Sequence, residues 1–296
     1  MKINLAKVIP FFLTGILFFS CGDGDSDSKN VIDTDVLDSK SSLNTEFDGK
    51  IFSIPSPIQM ALLLKEINAP FNQDLINDTK NLNNYNNEFK QALNLGVYGT
   101  DLGYASVSNQ NSASLNCLSA VESLTNKLGL NGIFDKSFLT RFEKNKTIDD
   151  SVLVIVSEAF RNGDSFLKSA KRKQTSALIL TGGWIESLFF VCEINKSFKN
   201  QKIIERIGGQ QQTLSTIIEI LTEYNEKGIN DELLLSFKDL KTSFDKITVD
   251  YTYIKPKTDD KNKTTTLQHI TTVKVDSELL KEIAKKVISI RETIIN

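Results

Sequence analysis

Ser176-Ala177-Leu178-Ile179-Leu180-Thr181-Gly182-Gly183-Trp184-Ile185-Glu186-Ser187-Leu188-Phe189-Phe190-Val191-Cys192-Glu193-Ile194-Asn195 is apolar on more than one side when wound at 3.6 residues per turn. Leu178, Gly182, Ile185, Phe189 and Cys192 recur at steps of three and four and form one face. Trp184, Leu188 and Val191 form another. A helix with apolar side chains on several faces is normally enclosed by other helices. The stretch therefore predicts a buried central helix, and with it a bundle.

Moving toward the N-terminus, the helical period persists. Val152, Val156, Ala159 and Phe160 give a stripe over Asp149–Lys168, separated from the central helix by the charged turn Lys171-Arg172-Lys173. Asp135 is placed to cap a short helix through Phe142, and Ser112–Leu128 reads as a helix ended by Gly129. Asn87–Ser106 reads as a helix despite Gly96, Gly99 and Gly103, which share one face. Each glycine costs about 1 kcal/mol in a helix interior, so three on one face imply close backbone contact with a neighbour. Ser56-Pro57-Ile58-Gln59 is a helix-start pattern, with a capping hydroxyl, proline at the first turn and Met60, Leu63, Leu64 and Ile67 behind it. The Asn- and Asp-rich stretch 72–87 between these helices reads as a loop.

Beyond the break at Gly208-Gly209, three more stripes follow: Leu214, Ile217, Ile218, Leu221; then Leu233, Phe237, Leu240, Phe244, Ile247; then Leu280, Ile283, Val287, Ile290, Ile294. Before the last of them Val249, Tyr251 and Tyr253 alternate with polar residues, and Leu267, His269, Thr271 and Val273 alternate on the return. A charged loop from Pro256 to Asn262 separates the two runs, which is a β-hairpin pattern. The expected fold class is all-α, a multi-helix bundle of about eight helices with one β-hairpin before the C-terminal helix. The expected helical domain covers residues 53–296, with the hairpin at 248–274.

The N-terminus carries a different message. Lys2 and Lys7 precede an apolar run from Val8 to Phe19, followed by Ser20, Cys21 and the polar acidic stretch Gly22-Asp23-Gly24-Asp25-Ser26-Asp27-Ser28. A positive start and a short apolar run read as a secretory signal. The run is too short to span a bilayer, which takes about 20 residues. A cysteine directly after a small residue resembles a bacterial lipoprotein signal, which implies cleavage of residues 1–20 and lipid attached to the Cys21 thiol. Phe18 stands where that motif usually has an aliphatic residue. The acidic stretch resembles that of Bacteroidota surface lipoproteins, which implies the outer membrane, lipid-anchored, with display on the cell surface. From Phe47 onward the chain resembles an uncharacterised family of envelope lipoproteins. Between Gly22 and Lys50 there are eight acids against three lysines, and so polar a composition reads as a disordered tether over 21–52.

Composition excludes several function classes. The chain has 35 Lys and Arg against 37 Asp and Glu, with no basic stripe to neutralise phosphates, so no nucleic-acid partner is expected. His269 is the single histidine, which rules out paired-histidine zinc motifs and leaves a Ser-His-Asp triad only a hairpin residue to use. No P-loop, GxGxxG or GxSxG pattern is present. The sequence implies no cofactor and no metal site. Cys117 and Cys192 both sit in apolar helical context, where free buried thiols are common, although export would permit a bridge.

What remains is carboxylate chemistry. Tyr98, Asp101 and Tyr104 lie at steps of three near one helical face, and Glu186 sits inside the central helix two residues after Trp184. Converging at an open cleft, Asp101 and Glu186 would form an acid/base pair, or hold a ligand against Tyr98, Tyr104 and Trp184. The bland alternative is a structural cluster, with Arg161 a ready partner for a buried carboxylate. Two functions are weighed on this basis. The first is a non-enzymatic binding or structural module of the cell envelope, held to the membrane by Cys21 and directed at an envelope protein or glycan. The second is a carboxylate-based hydrolase or lyase acting on an exported glycan.

Overall fold

The computed structural model describes residues 43–47, 50–54, 57–133, 136–145, 149–268 and 270–296, all within one compact unit, 33–296. Cys21, the acidic stretch through residue 42, Ser56, Asp135 and His269 lie outside the described residues.

The described residues are mostly helical and form ten α-helices: α1 Pro57–Glu66, α2 Glu88–Val107, α3 Asn111–Lys127, α4 Lys136–Asn145, α5 Asp149–Ser169, α6 Lys173–Ser197, α7 Gln201–Gly208, α8 Gln211–Glu223, α9 Asp231–Phe244 and α10 Ser277–Ile295. The expected central helix is α6, with every residue from Thr181 to Cys192 buried. It is long and apolar enough to cross a membrane, yet it is enclosed by protein on all sides of that stretch.

A second helix is just as central. α2 is buried from Ala92 to Ala105 and packs along α6. The glycines explain how the two backbones come so close. A methyl group on Gly96 would sit 2.0 Å from the Ile179 carbonyl oxygen, and one on Gly182 would sit 1.9 Å from that of Leu93. Gly99 instead accommodates the ring of Phe160 from α5. The expected backbone contact is therefore real, and its partner is α6. The two inner helices serve two hydrophobic clusters. One gathers α1 and α6 to α10 around Leu93, Val97 and Tyr104; the other gathers α3, α4 and α5 around Leu95, Tyr98 and Leu102.

Local chemistry sets the helix starts. Asn87 Oδ1 accepts from the Lys90 N–H (2.9 Å) at α2, and Asp276 Oδ1 accepts from the Leu279 N–H (2.8 Å) at α10. α7 is not among the helices expected from sequence. Asn200 caps it by accepting from the Lys202 N–H (2.9 Å), and Ile203 and Ile207 bury its one apolar edge. Eight residues offer too few turns for a periodic stripe to stand out.

Two further corrections concern strands. β1 (Leu43–Phe47) and β2 (Lys50–Ile54) form an antiparallel hairpin, where sequence composition puts the end of the tether. Phe47 is fully buried, 5.5 Å from the Tyr224 ring, and β2 packs on α8. A single aromatic with a pocket to fill outweighs the surrounding polarity. The second hairpin is split into two ladders: β3 (Thr248–Thr252) pairs with β6 (Ile270–Lys274), and β4 (Lys257–Asp259) pairs with β5 (Thr264–Thr266). Pro256 has no N–H to donate, which fits the gap in pairing from Tyr253 to Pro256.

Candidate functional site

α2 and α6 each carry one carboxyl group into the space between them. Asp101 and Glu186 are both 0 % exposed, and Asp101 sits close enough for the charge of Glu186 to raise its pKa. The third member comes from α10. Arg291 donates from Nε to Glu186 Oε2 (2.7 Å) and from Nη2 to Glu186 Oε1 (2.8 Å), a two-pronged ion pair. Nη2 also reaches the Leu75 carbonyl (2.8 Å), and the guanidinium lies 4.0 Å from the centre of the Phe189 ring.

The surrounding hydrogen bonds decide how Asp101 is ionised. Its Oδ2 accepts from the Asn77 N–H (3.2 Å), while Oδ1 has no donor to accept from. An ionised Asp101 would leave that oxygen orphaned opposite another carboxylate. Burial, and then the charge of Glu186, raise its pKa well above the ordinary 3.8. Protonation would give that oxygen a hydrogen to donate instead of a charge to bury.

The remaining polar groups extend this network to the end of the chain. Asn77 Nδ2 donates to the Tyr85 hydroxyl (3.0 Å), and Tyr85 donates to the Ile295 carbonyl (3.1 Å). Asn94 Nδ2 donates to the Ile294 carbonyl (2.9 Å). The last turn of α10 has carbonyls without intrahelical partners, and α2 and its preceding loop supply the donors.

Of the residues singled out from sequence, the fold brings together Asp101 and Glu186 and separates the others. Tyr98 donates to the Asp78 carbonyl (2.9 Å), and its ring lies 6.5 Å from that of Tyr85. Tyr104 accepts from the Asn72 N–H (2.9 Å) and packs on Phe190 and Phe71. Trp184 donates to Gln210 Oε1 (3.0 Å) and packs on Phe237. Arg161 is exposed on α5 and is not the partner of either carboxylate. Arg291 takes that role. Its signal was its position: it falls four residues after Val287 and seven after Ala284, on the buried stripe of α10. A charge on an apolar stripe asks for a buried counter-charge.

Cys117 and Cys192 are free and buried. Burial raises both thiols, Cys192 to about 12, so neither is a ready nucleophile. A cleft of about 420 Å³ lies between the loop before α2 and α3, lined by Gln73, Asp74, Asn77, Asp78, Thr79 and Asn116 among others. Neither Asp101 nor Glu186 lines it.

No protein-family model matches the chain, and no curated protein or solved structure shows significant similarity to it.

Proposed function

We propose that this chain is a lipid-anchored envelope lipoprotein whose helical body works by binding or support rather than by turnover. One observation carries the second half of that reading. Asp101 and Glu186 are the carboxyl pair that sequence leaves for acid/base chemistry, and both are sealed from solvent and taken up by Arg291, Asn77 and each other. A glycan hydrolase needs two carboxyls flanking a bond at an open site, and this pair has no solvent-facing atom.

The first half rests on Lys2, Lys7, the apolar run Val8–Phe19 and Cys21. The partners this reading implies are the membrane through Cys21 and an envelope protein or glycan through the body. Metabolic labelling with a fatty acid tests the anchor: wild-type protein takes up label and Cys21→Ala does not. Protease shaving of intact cells then tests the face. Cleavage without lysis places the body outside, and protection until lysis places it in the periplasm. Uptake of label by Cys21→Ala, or release of wild type as a soluble protein, sinks the anchored reading.

A further inference from the structure

The second hairpin carries most of the large apolar side chains that the described residues leave exposed. Val249, Tyr251, Tyr253, Ile254, Leu267 and Ile270 are all exposed, Tyr251 at 61 % and Tyr253 and Leu267 at 67 %. The base of the ribbon is tied down. β6 packs on α7, where Val273 fills the space above Gly208 so closely that a methyl group there would sit 2.2 Å from its Cγ1. In the antiparallel register Val249 pairs with Val273 and Tyr251 with Thr271, so Val249 and Tyr251 share the face that begins at this contact. Beyond Val273, Val249 and Tyr251 on that face stay largely exposed. A concentration of exposed apolar side chains on one projecting element marks an interaction surface.

The charges beside it indicate what it meets. Lys255, Lys257, Lys261 and Lys263 surround the tip, and none has an ion-pair or side-chain hydrogen-bond partner among the described residues. The acids nearby are Asp259 and Asp260, and Asp259 is turned into the tip, accepting from the Lys261 and Asn262 N–H groups and from Asn262 Nδ2. Tyrosines at the level of long lysines, with leucine and isoleucine between them, are the side chains that settle at a lipid–water interface. There the rings and aliphatic groups enter the acyl boundary while the ammonium groups meet headgroup phosphates.

We infer that hairpin 248–274 is a membrane-contact element that lays Tyr251, Tyr253, Leu267 and the tip lysines against an anionic lipid surface. The inference deepens the anchored reading by giving the body its own contact with the bilayer, and it is tested without the lipid. A chain lacking the signal and the lipid-bearing cysteine, Gly22–Asn296, retains every described element and the whole compact unit. Its sedimentation is measured with phosphatidylcholine vesicles containing phosphatidylglycerol and with pure phosphatidylcholine vesicles.

The wild-type chain partitions onto the anionic vesicles and dissociates in about 1 M salt, where the screening length falls to about 3 Å. Tyr251→Ser/Tyr253→Ser/Leu267→Ser lowers the bound fraction by about tenfold or more, as does Lys255→Ser/Lys257→Ser/Lys261→Ser. All six residues are exposed, so both variants melt like the wild type. Absence of wild-type binding, equal binding to the neutral vesicles, or binding unchanged in either variant overturns the inference. So does a dimer in light scattering that the apolar variant abolishes in the absence of vesicle binding, because the ribbon then pairs with itself. Fatty-acid labelling of Cys21 is independent of all these results, so the anchor and the hairpin fail or stand separately.

Discussion

Arg291 on the last helix closes on Glu186 at the middle of α6, with both of its bonds to that carboxylate at 2.7 and 2.8 Å and almost no solvent on either residue. The pair lies 105 positions apart in sequence. It joins the C-terminal helix to the innermost helix, and through the Leu75 carbonyl it holds the loop ahead of α2. Asp101 lies beside it, its carboxyl pKa raised by burial and by the charge of Glu186.

Removing one partner of a buried ion pair leaves an uncompensated charge, which costs about 3–5 kcal/mol. Arg291→Met is expected to destabilise the protein by that order in urea unfolding. Glu186→Gln/Arg291→Met is expected to recover more than half of the loss, since no buried charge remains. A single mutant within about 1 kcal/mol of wild type, a loss smaller than burial of an unpaired charge requires, means that the pair is hydrated in solution.

Asp101 links stability to pH. Its folded pKa lies above the ordinary 3.8 because of burial and then Glu186, so between the unfolded and folded values the native state holds a proton that the unfolded state has released. Stability from this group is complete below the unfolded value and declines as pH rises toward the folded one. Asp101→Asn keeps a donor toward Glu186 and an acceptor for the Asn77 N–H without the titration. The urea midpoint of wild type is therefore expected to fall relative to Asp101→Asn as pH rises above about 4. Parallel curves across that range would show Asp101 to be ionised in the native state.

The glycines of the two inner helices and the glycine of α5 make opposite predictions. Gly96→Ala and Gly182→Ala place a methyl group about 2 Å from a backbone carbonyl oxygen, and neither backbone has room to withdraw. Each is expected to cost about 3 kcal/mol or more, in the range of strongly overpacked cores. Gly163 on α5 meets only the Ile133 side chain, at 3.3 Å. Gly163→Ala is expected to be neutral or to stabilise by up to about 1 kcal/mol, the helix preference of alanine. Thermal melts of the three variants check the contrast, and equal effects at all three sites would contradict it.

Phe47 separates a folded hairpin from a tether. Phe47→Ala is expected to lower stability by about 3–5 kcal/mol, the usual loss for a buried phenylalanine. If residues 43–54 were an unpacked tether the same change would be silent in urea unfolding, and that result would return the segment to the tether.

Cys117 and Cys192 are buried in the folded state and have raised thiol pKa values. A thiol reagent on the unlipidated chain is expected to label both only at the rate of unfolding, and faster in urea. Rapid labelling of either one in buffer would show a local opening at that helix.

Much of the fold was legible because it rests on local periodicity. The stripes of α5, α6, α8, α9 and α10 each recur at steps of three and four, and a pattern contained in one helix needs no partner to be read. α7 escaped because eight residues are too short, and β1–β2 because their composition is that of a tether while Phe47 is buried in the body. The candidate site was half legible. Asp101 and Glu186 stood out as carboxyls within apolar helices, but that Arg291 and not Arg161 reaches Glu186 depends on where α5 and α10 each meet α6, and no spacing along the chain encodes that.

The amino-acid sequence by itself determined that this protein is mostly helical, that its innermost helix runs through Trp184 and Glu186, and that a close neighbour meets the helix face bearing Gly96, Gly99 and Gly103. Those properties follow from side-chain period and backbone space, which each segment carries alone. Only the tertiary structure decided that α6 is the partner of Gly96, that Arg291 neutralises Glu186, and that the two carboxyls are sealed rather than presented to a substrate. Those outcomes depend on groups far apart in sequence meeting where water is excluded, and there an unpaired charge or an orphaned oxygen is too costly to persist.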